Sequence, residues 1–259
     1  MSAPTTYAYF LEVPQKISAS GVTFFRDILV RFKASLEEFS GRAISEEALA
    51  DAIAVYNENR RLLHRAYDLR REGRLSGVEC HQMVLAGMLM PKEEHNRLMA
   101  DALNDVEKRE PINDRVKLLV SASMLDRPDF LKLIEDCGGA IVADDMPVGS
   151  RYFFYPVGHA SDALGSLAER YLAHIPCPRK MLPQDRFDYI TEIIQGADVQ
   201  GAVIHNLKAC DCHLYEYPYL KKMLEDMGMP VLFFRGEETE TEQETQRDDI
   251  EAFVEMIRG

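Results

Sequence analysis

VIHNLKACDCHLYEYPYLKKMLEDMGMPVLFF, residues 203–234, decides how the rest of the chain is read. It opens as a buried strand that ends at Asn206 or Leu207. A loop with two thiols and an imidazole follows, at Cys210, Cys212 and His213. The apolar positions Leu220, Met223 and Leu224 then predict a helix from about Pro218 to Met227, closed by Gly228 before a second apolar strand, Val231 to Phe234. Strand, helix and strand in this order make a βαβ unit with parallel strands. In such sheets ligands sit at the carboxyl ends of the strands, which is where the two thiols fall.

Outward from this stretch the pattern repeats. Apolar runs at Val116–Val120, Ala140–Ala143 and Ala202–Ile204 alternate with helical patterns near 129–137, 162–173 and 185–194, and a last helix carries Ile250, Phe253, Val254 and Ile257. Residues 112–259 therefore read as an α/β domain, a doubly wound, flavodoxin-like parallel sheet. Residues 1–111 read as a β-like strand, Tyr7 to Val13, followed by a mainly helical region. Its first helix runs from about Thr23 to Phe39 and stops at Gly41. Ser45, with Glu46 and Glu47 behind it, caps the second, which reaches Arg70 and Arg71. Ser76 and Glu79 form the S-x-x-E capping box of a third, and Pro91 suits the first turn of a fourth.

The chain has 259 residues, and its net charge of −13 argues against nucleic acid as a partner, because phosphate contacts need clustered Lys and Arg. Nine acidic and three basic side chains fall in residues 235–259, read as an exposed acidic loop and helix start. No run of about 18 apolar residues is present, so no membrane span is expected. The N-terminal MSAPTTYAYFLEVP lacks the pattern of a secretory signal, and the cytoplasm is the expected compartment. Five cysteines without regular spacing do not make a disulfide framework. Cys80, Cys137 and Cys177 read as structural, and His64, His81, His95, His159 and His174 have no paired spacing that would assign them a role.

Parallel strands would bring Ser121 and Ser123, Asp144 and Asp145, His205 to Cys212, and Arg235 and Gly236 to one edge of the sheet. Asp144 and Asp145 before Gly149-Ser150-Arg151 read in two ways: a turn that offers Arg151 to an anionic ligand group, or an internal Asp–Arg pair with a capped turn. Cys210-x-Cys212-His213 resembles a metal half-site, but there is no second ligand pair for structural zinc. One thiolate given to a shared iron–sulfur cluster stays open beside an ordinary loop cysteine. Dinucleotide, phosphate-loop and nucleophile-elbow signatures are absent.

Several segments, in order, resemble the catalytic subunits of 2-hydroxyacyl-CoA dehydratases and class I benzoyl-CoA reductases. They are GRAISEEALADAIAVYN from Gly41, RVKLLVSAS from Arg115, IVADDMPVGSRYF from Ile141, KACDCHLYEYPYLKKMLEDMGMPVL from Lys208 and IEAFVEMI from Ile250. The resemblance covers nearly the whole chain. It implies an oxygen-sensitive, two-subunit enzyme of anaerobic bacteria, in which each subunit holds a 4Fe-4S cluster through cysteines. A separate ATP-hydrolysing iron–sulfur activator supplies an electron of very low potential, so ATP acts only through that activator. The cluster passes the electron to a CoA thioester, whose carbonyl becomes a ketyl radical anion.

Carried over position by position, the family's cluster cysteine in K-x-C-D falls on Cys210, with Cys212 ranked second as a metal ligand. The VADD-x-x-x-GSR motif falls on Val142 to Arg151. Ser121, Asp144 and Arg151 are expected to line the thioester pocket. Many relatives have Cys where this chain has Pro147, and relatives often show T-R before I-E-A-F where this chain has Asp248 and Asp249. Relatives are also longer, with an N-terminal α/β domain that supplies further cluster cysteines before a strand like Tyr7–Val13. The expected cluster is thus completed by ligands outside this chain, beside a homologous second subunit. The alternative is a truncated, non-catalytic assembly subunit of such a complex. The GSRYF ending tilts the reading toward benzoyl-CoA.

Overall fold

The computed structural model describes residues 7–158, 162–175, 177–180, 183–236 and 240–259, without the side chains of residues 183 and 240–244. Four helices come first: α1 (Ala19–Ser40), α2 (Glu46–Arg71), α3 (Gly77–Leu89) and α4 (Lys92–Val106). The starts of α2 and α3 are the ones the capping residues predict, whereas α1 begins at Ala19, ahead of the expected Thr23, on a cap at Ser18. Ser18 and Ser45 accept the backbone N–H groups of Gly21 and Ala48, and both halves of the Ser76/Glu79 box form, at 3.0 and 2.9 Å. Each bond satisfies a donor that the helix start would otherwise leave without a partner. Leu63, Ala66, Tyr67, Cys80, Val84, Met99 and Leu103 pack α2, α3 and α4 together, joined by Val148 and Phe153 from the second half of the chain.

Strands β1 (Val116–Ala122), β2 (Gly139–Asp145), β3 (Gly201–Leu207) and β4 (Val231–Gly236) form one all-parallel sheet in the order β2-β1-β3-β4. The connecting helices are α5 (Asp129–Asp136), α6 (Ser150–Phe153), α7 (Ala163–Leu172), α8 (Pro183–Ile194), α9 (Asp211–Asp226) and α10 (Glu240–Arg258). Alternation along β1 separates the two faces. Leu118 and Val120 meet Phe130 and Ile134 of α5 and Ile250 and Val254 of α10, whereas Leu119 points at Ile190 and Ile193 of α8 and Leu220 and Leu224 of α9. Helices thus cover both faces, as a doubly wound sheet requires. Each fully buried Leu or Ile contributes about 1.5–3 kcal/mol to holding these layers together.

The chain moves from β1 to β2 on one side, then crosses back over β1 to place β3 on the other. The switch point lies between the carboxyl ends of β1 and β3, where a ligand crevice is expected. Helical and α/β parts are in direct contact. Phe25 and Ile28 of α1 pack on Ala168 and Leu172 of α7. α3 crosses β2 so closely that a Cβ at Gly77 would stand 2.6 Å from that of Ile141.

Two expectations are corrected. Tyr7–Val13 is not a strand: it has no ladder partner among the described residues, and its first residues pack along α1. Its alternating aromatics use the helix instead. The Tyr7 ring lies 4.6 Å from Phe39, the Tyr9 ring 5.0 Å from Phe32, and the Tyr7 hydroxyl 2.9 Å from Ser35 Oγ. Secondly, α9 begins at Asp211 rather than near Pro218, so Cys212 and His213 belong to a helix and Cys210 is its N-cap residue. Proline favours first turns, which is why it reads as a start. Here it sits two turns in, tolerated because Leu220 and Leu224 bury the following turns against the sheet.

Candidate functional site

Six buried charges stand behind the carboxyl end of β2. Asp144, 1% exposed, ends its strand with Oδ2 2.7 Å from Arg70 Nη1, and Arg70 is the penultimate residue of α2. Its Oδ1 accepts the Ser150 backbone N–H at 2.8 Å, and Ser150 Oγ bonds the Asp144 carbonyl. Asp145 is fully buried. It receives both terminal nitrogens of Arg186, at 2.7 and 2.5 Å, and the Ser121 hydroxyl at 2.7 Å. Arg151 Nε lies 3.0 Å from Asp145 Oδ1 as an ion pair outside hydrogen-bond geometry, while its Nη2 donates to the carbonyls of Ala122 and Asp145 at 2.8 and 3.0 Å. Arg186 Nε completes the set by bonding both carboxylate oxygens of Glu216, at 3.1 and 2.8 Å. Three carboxylates and three guanidinium groups therefore balance.

Charge fixes the titration of the pair at the centre. Burial opposes ionisation of Asp145, but Arg151 and Arg186 outweigh it and hold the carboxyl far below the usual range. Burial likewise works against the Arg186 cation, and Asp145 and Glu216 overcome it, so the guanidinium is held above its ordinary value. For Glu216 burial wins, and its carboxyl is raised despite Arg186.

Of the two sequence readings of the Asp-Asp turn, the internal Asp–Arg pair with a capped turn is the one found, for Arg151 is buried and engaged with Asp145 and two backbone carbonyls. The internal pairing is present, with Asp144 on Arg70 and Asp145 on Arg151. The turn is also capped, and Gly149 makes the cap possible, because a Cβ there would fall far inside van der Waals contact with Asp144 Oδ1. Gly149→Ala is expected to break the Ser150–Asp144 bond and lower stability by about 1–3 kcal/mol. Urea unfolding of the variant checks this, and a loss within experimental error would show that the turn relaxes freely.

The thiols lie at the adjacent carboxyl end of β3. Cys210 and Cys212, both half-buried, line a cavity of about 400 Å³ together with Cys177, Arg179, Lys180, His174 and Tyr171. The Arg179 guanidinium stands close to Cys212, Cys177 and Cys210, and its attraction to them raises its own pKa. The cap position adds the unpaired N–H groups of α9, which attract negative charge. Sulfur ligands for a soft metal fit such surroundings in kind. Among the described residues, however, no three His, Cys, Asp or Glu side chains are grouped closely enough to hold a metal ion.

The expected residues thus divide into two neighbouring sets. Ser121, Asp144 and Arg151 are all 5% exposed or less and engaged internally, whereas Cys210 and Cys212 face the cavity. The sets communicate electrostatically, for Arg151 is in range of Cys177 and of His174. Cys177, read as structural, instead lines the cavity, because the chain after α7 carries it across the β3 end. Arg186, Glu216 and Arg70 are not picked out by any motif. A signal existed: Arg186 stands three and four residues before the core residues Tyr189 and Ile190, and Arg70 three after Tyr67, so helical periodicity places both on buried faces. His213, 4% exposed, is buried beneath the turn, with its carbonyl accepting Asn206 Nδ2 at 3.2 Å. His159 lies outside the described residues.

A second cavity, about 420 Å³, opens at the opposite, amino-terminal edge of the sheet. Its charged walls are paired with one another or with near neighbours, as in Arg109–Glu79, Lys132–Asp136 and Lys117–Asp198. No helix among the described residues is long and apolar enough to cross a membrane.

Residues 2–257 match the family described as 2-hydroxyglutaryl-CoA dehydratase, D-component. One of the subunits of the benzoyl-CoA reductase of Thauera aromatica is 28% identical over 264 residues, an alignment that covers 98% of this chain and 68% of the relative. The beta subunit of (R)-phenyllactyl-CoA dehydratase of Clostridium sporogenes is 27% identical, over 86% of this chain and 60% of its own length. For the beta subunit of (R)-2-hydroxyglutaryl-CoA dehydratase of Acidaminococcus fermentans the identity is 28%, over 96% and 68%. The chain therefore spans about two thirds of the length of these relatives, all of which are subunits of enzyme complexes.

Proposed function

We propose, from the premise that this chain belongs to the 2-hydroxyglutaryl-CoA dehydratase D-component family, that it is a subunit of a radical-type acyl-CoA reductase or dehydratase and supplies thiolates to an iron–sulfur cluster. The observation that carries the reading is the cavity at the end of β3, where Cys210 and Cys212 converge beside the Arg179 guanidinium at the switch point of the sheet. Thiolates are the ligands iron–sulfur clusters take, and the remaining ligands would come from outside the described residues. When bound, a 4Fe-4S cluster supplies a single electron of low potential to the carbonyl of a CoA thioester.

The chain's own residues prepare that place. Cys210 is assigned as the ligand and Cys212 as its neighbour, with the Arg179 guanidinium lining the same cavity. Ser121, Asp144 and Arg151 are assigned to the thioester pocket. Their internal bonds hold the turn after β2 rigid, and Arg151 contributes positive potential toward the cavity, where negative charge would build on a thioester oxygen. The partners in this reading are a homologous second subunit, an ATP-hydrolysing activator and an acyl-CoA.

Anaerobic co-purification with the homologous subunit is the test, followed by iron analysis and electron paramagnetic resonance. Cluster iron in the wild type, its loss in Cys210→Ala and a smaller loss in Cys212→Ala are expected. A complex without iron, or one whose iron is indifferent to Cys210→Ala, overturns the reading.

A further inference from the structure

The buried cations of this chain fall into two kinds. Arg70, Arg151 and Arg186 each face a carboxylate within 3.0 Å. Arg60 of α2, Lys92 at the start of α4 and Arg170 of α7 are also buried, each 7% exposed, yet no carboxylate of the described residues stands within 4.0 Å of any of them. Only neutral oxygens serve them. Arg60 Nη1 donates to Asn57 Oδ1 at 2.9 Å, and Arg170 donates to the carbonyls of Tyr155 and Tyr152 at 3.1 and 3.2 Å. Lys92 Nζ donates to the Tyr152 hydroxyl at 2.6 Å and to the Gly87 carbonyl.

Burying a cation without a counter-charge is costly, so three of them converging from three helices need an explanation that packing does not supply. The field they leave is felt by their neighbours. Burial, followed by the positive charges of Arg170, Lys180, Arg151 and Arg60, pushes His174 down to about 4. Burial and then Arg60 bring Arg170 itself down to about 10. A chain with 43 acidic side chains has brought none of those described within 4.0 Å of these three cations.

Aromatic rings wall the same spot. The Tyr56 ring lies 5.3 Å from Lys92 Nζ and 5.9 Å from the Arg60 guanidinium, and the Tyr171 ring lies 4.8 Å from that of Arg170. Tyr56 and Tyr171 are 43% and 47% exposed, so both rings reach solvent beside the buried cations. Tyr171 also lines the thiol cavity with Cys210 and Cys212. Tyr171 thus stands between the cations and the thiols.

We propose that Arg60, Lys92 and Arg170 form a phosphate-binding site for the nucleotide end of a CoA thioester, with Tyr56 and Tyr171 as faces for the base. The choice of CoA among phosphorylated nucleotides rests on the acyl-CoA reading above. The three cations suit a phosphate dianion, which takes charge-assisted hydrogen bonds from several donors at once.

Titration calorimetry of the full chain with adenosine 3′,5′-bisphosphate tests the site, with ATP and inorganic phosphate as competitors. The wild type is expected to bind the bisphosphate, and Arg170→Gln and Lys92→Met to weaken it by about tenfold or more. Arg170→Lys and Arg60→Lys retain the charge and should weaken it less, which separates lost phosphate binding from misfolding. An absence of bisphosphate binding by the wild type, or equal binding by the Gln and Met variants, overturns the site, and equal competition by ATP overturns its assignment to CoA. Bisphosphate binding that depends on Arg170, in a complex that holds no iron, would retain the site and remove the electron-transfer reading.

Discussion

Arg186→Met is expected to lower the unfolding free energy by about 3–5 kcal/mol, because it strands Asp145 and Glu216 as buried carboxylates. Arg186 has no solvent-exposed surface and four hydrogen bonds to these two groups, so neither water nor another donor can replace it without opening the core. The penalty belongs to the orphaned charges rather than to the pairing itself, since an intact buried ion pair is close to neutral against a hydrophobic replacement. Adding Asp145→Asn and Glu216→Gln to Arg186→Met should therefore recover a substantial part of the loss. Urea unfolding of the wild type, the single variant and the triple variant gives the comparison. A single variant within about 1 kcal/mol of the wild type would mean that the network relaxes or hydrates.

Acid should destabilise the protein well above the range in which carboxylates normally titrate. His213 is pushed down to about 3, chiefly by burial and then by Arg151 and Arg186, and His174 to about 4. Both folded values lie below the ordinary histidine value of about 6.5. Their contribution to stability is complete above that value and falls as the pH drops toward the folded values, because the unfolded chain binds two protons that the native chain refuses. Each fully bound proton of this kind tilts stability by about 1.4 kcal/mol per pH unit, and with the unfolded imidazoles only partly protonated at pH 6 the two together give about 2 kcal/mol between roughly pH 6 and pH 5. Glu216 and Glu135, both raised mainly by burial, take up protons earlier in the folded state and offset part of the slope at the acid end. Unfolding midpoints in urea at about pH 7, 6 and 5 would show the decline, and His174→Gln with His213→Gln should flatten it. A wild type equally stable across that range would remove the prediction.

Much of the scaffold was legible from local chemistry. Serine caps and the Ser76/Glu79 box act within four residues of their own helix, so the starts of α2 and α3 were readable without knowing the fold. The four strands were legible because a parallel sheet covered on both faces needs nearly continuous apolar runs, which β1 and β3 have. The segment Tyr7–Val13 shows the limit of the same reasoning. Its alternation is that of a strand, but a strand exists only with a ladder partner, and α1 offered its aromatic side chains a closer surface. Pro218 shows another limit: tertiary burial of α9 outweighs a local preference that places proline at the start.

The sequence by itself determined the succession of strands and helices, the edge at which Asp144, Asp145, Cys210 and Cys212 gather, and the family resemblance, because these follow from periodicity and from residues close together along the chain. Only the tertiary structure decided the partners. Arg70 meets Asp144 across 74 positions, Arg186 meets Asp145 across 41, Cys177 joins Cys210 and Cys212 around one cavity, and Arg60, Lys92 and Arg170 come together without a carboxylate. The reason is that a buried charge is set by whatever the packing brings within a few ångströms of it, and no rule of local spacing specifies that neighbour.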